Sequence, residues 1–333
     1  MDSEPAQFGD FGVTCQASPV LVVVAPGQGS QTPGMLSPWL ELPAFASVID
    51  QMSAACGTDL RRHGIESDAD TIRDTAIAQP LIVASGLATA AAAAALGLPL
   101  TACDFVAGHS VGEITAAALS GVLTLEGAAQ LVATRGEQMA HAANSVSTTM
   151  AAVLGGERDE VVAELEARNI VPANQNGANQ IVAAGTVQQI EELIANPPTG
   201  TKVRQLQVAG AFHTHFMASA QAAVAEVAAK LSISAPTTTL ISNHGGDIVT
   251  DGNEFVARLV SQVAAPVRWD LCMQTMAAHN VTGLIELFPG GTLTGIAKRA
   301  MQGVELLAIK SIDDLALVAD FVAKHRGVES LSS

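Results

Sequence analysis

Gly108-His109-Ser110-Val111-Gly112 sets a serine between two glycines, with a short apolar run, 104–107, before it and a helical pattern after it. This is G-x-S-x-G in the strand-to-helix context that a nucleophilic serine needs. The glycines permit a turn sharp enough to lift the hydroxyl clear of a sheet edge. Amides that open the next helix, beginning with Val111 N–H, then point at the reacting carbon and can hold an oxyanion. The competing reading is a glycine-rich turn in which Ser110 merely caps the helix. A nucleophilic serine also needs a base. His63, His109, His141, His213, His215, His244, His279 and His325 are available, and periodicity does not choose among them. His213 stands apart locally, between a strand end and a helix start in Gly210-Ala-Phe-His-Thr-His-Phe-Met217, although a single loop histidine is more often merely solvated. His109 adjoins Ser110, but neighbours on a tight turn diverge, which makes it a poor base for that serine. Pro26-Gly-Gln-Gly-Ser-Gln31 completes no GxGxxG phosphate loop. The side-chain amide of Gln28, at the same sheet edge as Ser110, can instead serve an oxyanion site; otherwise the segment is a tight turn.

The elements that must position these residues alternate between strand and helix. Residues 20–25 are a continuous β-branched run ending at Pro-Gly, which reads as a parallel strand buried on both faces. Helical patterns cover 43–56, 78–96, 114–121 and 125–142, with a second buried strand at 104–107. The middle third changes character. Strands at 149–154, 171–175, 180–184 and 202–208 and helices at 157–168 and 187–195 run βαββαβ, the ferredoxin-like order. The α/β pattern resumes after it: a helix from 212 to 230, a strand at 238–242, helices at 254–262 and 270–279, a strand at 282–288, a helix at 295–302 and a strand at 304–310. The expected class is α/β with a parallel sheet.

Composition narrows the function. With 32 acidic and 16 basic residues the net charge is −16, which argues against broad binding to nucleic acid or anionic lipid. Only 14% of the 333 residues are charged, against roughly 25% in an ordinary soluble domain, and mean hydropathy is +0.34. The run 87–100 is alanine-rich and interrupted by Thr89, Gly97 and Pro99, short of the roughly 20 strongly apolar residues of a spanning helix. Cys15, Cys56, Cys103 and Cys272 are widely spaced, which fits reduced thiols in the cytoplasm. Residues 1–19 carry acidic side chains and no basic n-region, so they are expected to be a loose extension rather than a secretory signal. No metal is expected, since the Cys, His, Asp and Glu residues show no ligand spacing; no other cofactor is expected either.

Pro26-Gly-Gln-Gly-Ser-Gln31, Gly108-His-Ser-Val-Gly-Glu113, Arg135-Gly136, Ala211-Phe-His213 and Gln262…Pro266-Val267 together resemble, in order and spacing, the malonyl-CoA:acyl carrier protein transacylases, from about residue 20 to about 315. The resemblance implies an α/β-hydrolase-like catalytic unit, 20–146 and 210–333, with a ferredoxin-like subdomain, 147–209, inserted in it. It implies that Ser110 becomes malonylated, that His213 is its base and later the acid for the leaving thiol, and that the backbone N–H groups of Gln28 and Val111 form the oxyanion hole. Arg135 then pairs with the malonyl carboxylate. Gln262 orients His213, largely through its carbonyl, so no triad carboxylate is required. His109, Phe212, Asn174, Asn176 and Asn243 match residues lining the substrate cleft, and a ring at Phe212 would crowd a 2-methyl branch. Malonyl-CoA and acyl carrier protein are the implied partners of a monomeric chain, with Lys298 and Arg299 as basic contacts for the carrier. This sequence departs from many relatives at Ala25, at Gly210-Ala211 and at His215, none of which removes a catalytic group.

Two rivals differ in what they require. A serine hydrolase would need a late acid such as Asp313 with His325, and its oxyanion loop should precede the serine, whereas His244-Gly-Gly246 follows it. A non-catalytic CoA- or carrier-binding module would leave the coexistence of Ser110 and His213 unexplained.

Overall fold

The computed structural model describes residues 18–98 and 100–326. The expected N-terminal extension, 1–19, lies almost wholly outside the described residues, as does Cys15.

The chain opens on β1 (Val20–Ala25), whose side chains are buried on both faces. Helices α1 (Pro43–Cys56), α2 (Leu60–Glu66) and α3 (Thr75–Ala95) follow. The Asp74 carboxylate starts α3 by accepting the Ala76 N–H, which satisfies an otherwise orphaned donor. By length and hydropathy α3 would pass for a membrane span, but 83% of its most apolar window is buried inside the protein. Its apolarity is that of a core helix. Next come β2 (Phe105–Gly108), α4 (Gly112–Leu119) and α5 (Leu125–Ser145). Gly136 lets α5 close on α3: a Cβ there would lie 2.9 Å from Thr75 O.

A smaller unit follows in the order β3 (Thr148–Gly155), α6 (Arg158–Ala167), β4 (Val171–Gly177), β5 (Gln180–Thr186), α7 (Val187–Ala195) and β6 (Thr201–Gln205). Its four strands form one antiparallel sheet in the order β4-β5-β3-β6. Val153, Val161, Leu165, Ile170, Ile190 and Leu193 make its separate core. Entry and exit are clasped, since Ala211 N–H donates to Thr148 Oγ1 at 2.9 Å. The outer strand β4 is also sewn to the rest of the protein, with Gln175 N–H on Val267 O and Val267 N–H on Ala173 O.

The remainder returns to the larger sheet through α8 (Ala218–Ala228), β7 (Thr239–Ile241), β8 (Ile248–Val249), α9 (Gly252–Gln262), α10 (Trp269–Ala278), β9 (Val281–Glu286), α11 (Thr292–Ala300), β10 (Glu305–Ala308) and α12 (Val318–Arg326). Strand order is β10-β9-β1-β2-β7-β8, parallel except for β8. The molecule is thus an α/β protein with a mainly parallel sheet under helices. The loops after β1 and β2 emerge side by side at the carboxyl end of the sheet, where open α/β sheets place their ligands.

Several expectations shift. The helix expected from 212 begins only at Ala218: Thr214 Oγ1 accepts the Phe216 N–H and starts a short 3-10 turn, and His213 sits at φ 59°. The strand expected through 208 ends at Gln205. The helix expected at 295 begins at Thr292, because the buried Glu286 carboxylate accepts N–H groups of Gly291, Leu293 and Thr294. Helices α2 and α12 and strand β8 were not anticipated.

Candidate active site

Both motif glycines are demanded by contact. A Cβ at Gly108 would lie 2.0 Å from the Gly112 carbonyl carbon, and one at Gly112 would lie 2.3 Å from Ala25 O. The turn they permit holds Ser110 at φ 54°, a left-handed conformation that a residue with a Cβ adopts only where its surroundings enforce it. Ser110 O–H faces His213 Nε2 at 2.7 Å, and His213 Nδ1 faces the Gln262 carbonyl at 2.9 Å. A carbonyl only accepts, so Nδ1 carries the proton and Nε2 is free to take one from the serine. His213 is 4% exposed. Burial, then the nearby Arg135 charge, push its pKa down to about 3, opposed by the bond to the Gln262 carbonyl. The imidazole is neutral at physiological pH, as a base must be.

Arg135, brought in by α5, is 1% exposed. Nη1 donates to Gln79 Oε1 at 2.7 Å and Nη2 donates to Ser110 Oγ at 3.2 Å, while Nε has no partner among the described residues. Burial lowers its pKa to about 10, opposed by Glu113, so it stays cationic. Among the described residues no carboxylate forms an ion pair with it. A buried cation with no carboxylate in direct contact, Glu113 acting on it only from farther off, is suited to receive an anion.

A cleft of about 500 Å³ opens over Ser110 and is lined in part by Gly27, Gln28, His109, Asn174, Asn176, Met150, Phe212 and His213. His109 Nε2 meets Asn176 Oδ1 at 2.9 Å, and its ring lies edge-on to Trp269. Burial lowers the His109 pKa. Gln28 departs from the side-chain reading. Its amide donates to Arg73 O and Thr75 Oγ1, away from the serine. Its backbone N–H, like that of Val111, donates to no other protein group among the described residues. A Cβ at Gly27 would lie 2.7 Å from His109 O, so only glycine lets the two loops approach this closely.

These features match a known family along nearly the whole chain: residues 22–328 fit the acyl transferase domain model. The malonyl CoA-acyl carrier protein transacylase of Mycobacterium tuberculosis is 48% identical, over 90% of this chain and 100% of its own length. The chain belongs to the malonyl-CoA:acyl carrier protein transacylase family. The Escherichia coli transacylase is 31% identical, over 88% of this chain and 96% of its own. The crystal structure of the M. tuberculosis MCAT superposes with a TM-score of 0.87 at 49% identity, covering 90% of this chain and 99% of that one. An acyltransferase domain from the salinomycin polyketide synthase gives 0.82 at 33% identity, covering 94% and 75%.

Within this transacylase framework, one expected cleft residue is placed elsewhere. Asn243 is fully buried behind the serine turn rather than in the cleft, because its side chain bonds the backbone of Gly108 and Ser110. Gln262 is also buried; its carbonyl meets His213 Nδ1, while its Nε2 has no partner among the described residues. Lys298 and Arg299 sit exposed in the last turn of α11, and Arg299 donates to Gln180, which lines the cleft. The hydrolase alternative fails on position: His325 bonds Thr282 and Glu305 rather than Ser110. Gln79 was missed. It is 2% exposed, and it is the one long polar side chain in an otherwise apolar or small-residue α3, which was the available signal. Among the described residues no group of three His, Cys, Asp or Glu side chains is placed to hold a metal.

Proposed function

We propose that the chain transfers the malonyl group from malonyl-CoA to the phosphopantetheine thiol of acyl carrier protein, through a malonyl-Ser110 intermediate. Ser110 O–H passes its proton to His213 Nε2 as Oγ attacks the thioester carbonyl. The oxyanion forms under the N–H groups of Gln28 and Val111. Its collapse breaks the C–S bond, and the His213 proton leaves with the CoA thiol. The carrier thiol then gives its proton to His213, attacks malonyl-Ser110 and restores the serine. Arg135 holds the malonyl carboxylate throughout with charge-assisted hydrogen bonds, each worth about 1.5–3 kcal/mol. Gln262 keeps His213 in its tautomer. His109, Asn174, Asn176 and Phe212 shape the cleft, with Phe212 set against a 2-methyl branch. No cofactor takes part.

The observation carrying this reading is the buried Arg135 guanidinium, in ion-pair contact with no carboxylate among the described residues, 3.2 Å from Ser110 Oγ. The chain would supply fatty-acid or related synthesis in the cytoplasm as a monomer, bind no nucleic acid and insert in no membrane. Lys298 and Arg299, exposed in the last turn of the helix whose Thr292, Leu293 and Ile296 line the cleft, would meet the acidic carrier. We read 20–146 and 210–333 as an α/β-hydrolase-like catalytic unit and 147–209 as a ferredoxin-like one. The strand order β4-β5-β3-β6, its two helices and the Thr148–Ala211 clasp support that division.

The test is one incubation with malonyl-CoA, acetyl-CoA and methylmalonyl-CoA, followed by mass spectrometry of the Ser110 peptide. Malonyl adduct should dominate, and carrier protein should discharge it. Preferential acetylation, or release to water instead of the carrier, would overturn the assignment.

A further inference from the structure

We propose that Asn243 is a positioning residue of the acyl transfer: its side-chain amide clasps the serine turn from behind and holds Ser110 in its strained conformation. The inference rests on the reading of Ser110 as the nucleophile.

The geometry is a two-point clamp. Asn243 Oδ1 accepts the Ser110 N–H at 2.7 Å, and Nδ2 donates to the Gly108 carbonyl at 2.6 Å. An N–H only donates and a carbonyl only accepts, so the amide has one possible orientation. The clamp brackets His109 and fixes the N–H side of Ser110, where the chain reverses from β2 towards α4. Ser110 at φ 54° tends to relax; the Asn243 bond to its N–H and, on its other side, the bond from the Glu113 N–H to its carbonyl at 3.0 Å oppose that motion. Asn243 is itself fixed. Its N–H donates to Glu113 Oε1 at 2.9 Å, and its carbonyl accepts the Arg268 N–H at 3.0 Å. Glu113 belongs to the first turn of α4. The same short helix that leaves the turn therefore anchors the residue that holds it.

The clamp also divides labour among the backbone amides. The Ser110 N–H is consumed by Asn243 and is turned away from the cleft. Oxyanion stabilisation then falls to Gln28 and Val111, whose N–H groups have no protein partner among the described residues. Without Asn243 two buried backbone groups would lose their partners, and the turn would relax to find others. Ser110 Oγ would drift from His213, and a displacement of about 1 Å can cost ~10²-fold in rate.

Asn243→Leu, of similar size and with no hydrogen-bonding group, and Asn243→Asp, which keeps an acceptor for the Ser110 N–H, test this in the full chain. The readouts are malonyl-transfer kcat and KM, thermal stability, and the labelling rate of Ser110 by a fluorophosphonate, which needs no malonyl recognition. Asn243→Leu should lower both kcat and the labelling rate by ~30–100-fold, with the KM for malonyl-CoA within about threefold. Asn243→Asp should lie between Leu and the native protein. A residue that only fills space would give the opposite order, with the apolar variant at least as active as the charged one. A folded Asn243→Leu with native labelling and kcat overturns the proposal. Should that variant fail to fold, Asn243→Asp decides: about tenfold slower labelling at unchanged KM supports the clamp, and native labelling overturns it. If the native protein labels at Ser110 yet transfers no malonyl group, the functional reading fails while the clamp stands.

Discussion

Arg135 and His213 meet at one atom. Ser110 O–H donates a hydrogen bond to His213 Nε2 at 2.7 Å, and its Oγ accepts one from Arg135 Nη2 at 3.2 Å. The spacing suits a three-carbon diacid. In a malonyl thioester a single methylene separates the carbonyl under attack from the free carboxylate, so a cation that reads the carboxylate must stand beside the nucleophile. A longer diacid would carry its charge past the guanidinium.

Arg135→Met should therefore reverse acyl preference. Malonylation of Ser110 should fall by ~10³-fold or more, while acetylation changes little, because a buried carboxylate without its partner is strongly disfavoured. Competing malonyl-, acetyl- and succinyl-CoA on the native protein and the variant measures it. Unchanged malonyl selectivity would remove Arg135 from the carboxylate site.

Gln79 fixes the other arm of that guanidinium, with Oε1 2.7 Å from Nη1. Gln79→Leu should lower kcat/KM for malonyl-CoA by ~10-fold, about the worth of one buried hydrogen bond to a charged group. Fluorophosphonate labelling of Ser110 should hold, which separates a loosened clamp from a damaged nucleophile.

The pH dependence has a definite sign. The His213 pKa lies at about 3, held down first by burial and then by the Arg135 charge. The base should stay neutral far below the ordinary histidine range, so the acid limb of kcat/KM from this group should lie below pH 5. Removing the cation in Arg135→Met should move that limb upward. Stability follows the same linkage: below about 6.5 the unfolded chain binds a proton that native His213 refuses. This group's contribution is full above that pH and is lost as pH falls towards 3. Urea titrations at pH 7 and pH 5 should show it, and His213→Gln should flatten the difference.

Gly112→Ala tests the packing under the oxyanion site. The added carbon would meet Ala25 O at 2.3 Å, and backbone has no rotamer with which to yield. Helix α4 must shift and carry the Val111 N–H with it. We expect kcat to fall by ~10²-fold or more together with a lower melting temperature.

Lys298→Glu should raise the carrier-protein KM and weaken its dependence on salt, while the KM for malonyl-CoA stays near its native value. Salt screens such surface attraction within about 10 Å at 0.1 M. A carrier KM insensitive to both salt and substitution would mean that docking is not electrostatic.

Much of this site was legible because steric demand leaves a trace in residue type. Gly108 and Gly112 are glycines since nothing larger fits, and 20–25 is β-branched since both its faces are buried. The small antiparallel unit was legible through its change of period. What escaped was direction. An asparagine at 243 reads equally well as a cleft residue or a brace, and only the fold shows it facing the back of the turn. The segment 212–217 looks helical by apolarity, yet the Thr214 hydroxyl caps Phe216 and delays the helix. Gln79 was hidden by its surroundings, because a polar residue in a core helix is usually noise. Fold class and the Ser110 motif needed only pattern, His213 and Arg135 needed the family resemblance, and the hydrogen bonds that tune them join residues far apart in sequence.

The double suture of the small sheet has a mechanical meaning. It is tied at its neck by Thr148 and Ala211 and along its outer strand by Val267. Two separated ties remove the hinge that a single neck would provide. The gap between the sheets then behaves as a stiff slot of set width rather than as jaws. Bulky acyl chains would be turned away by the gauge of that slot on entry, leaving charge to be read at Arg135, and the two thiol substrates would exchange through one mouth that neither has to pry open.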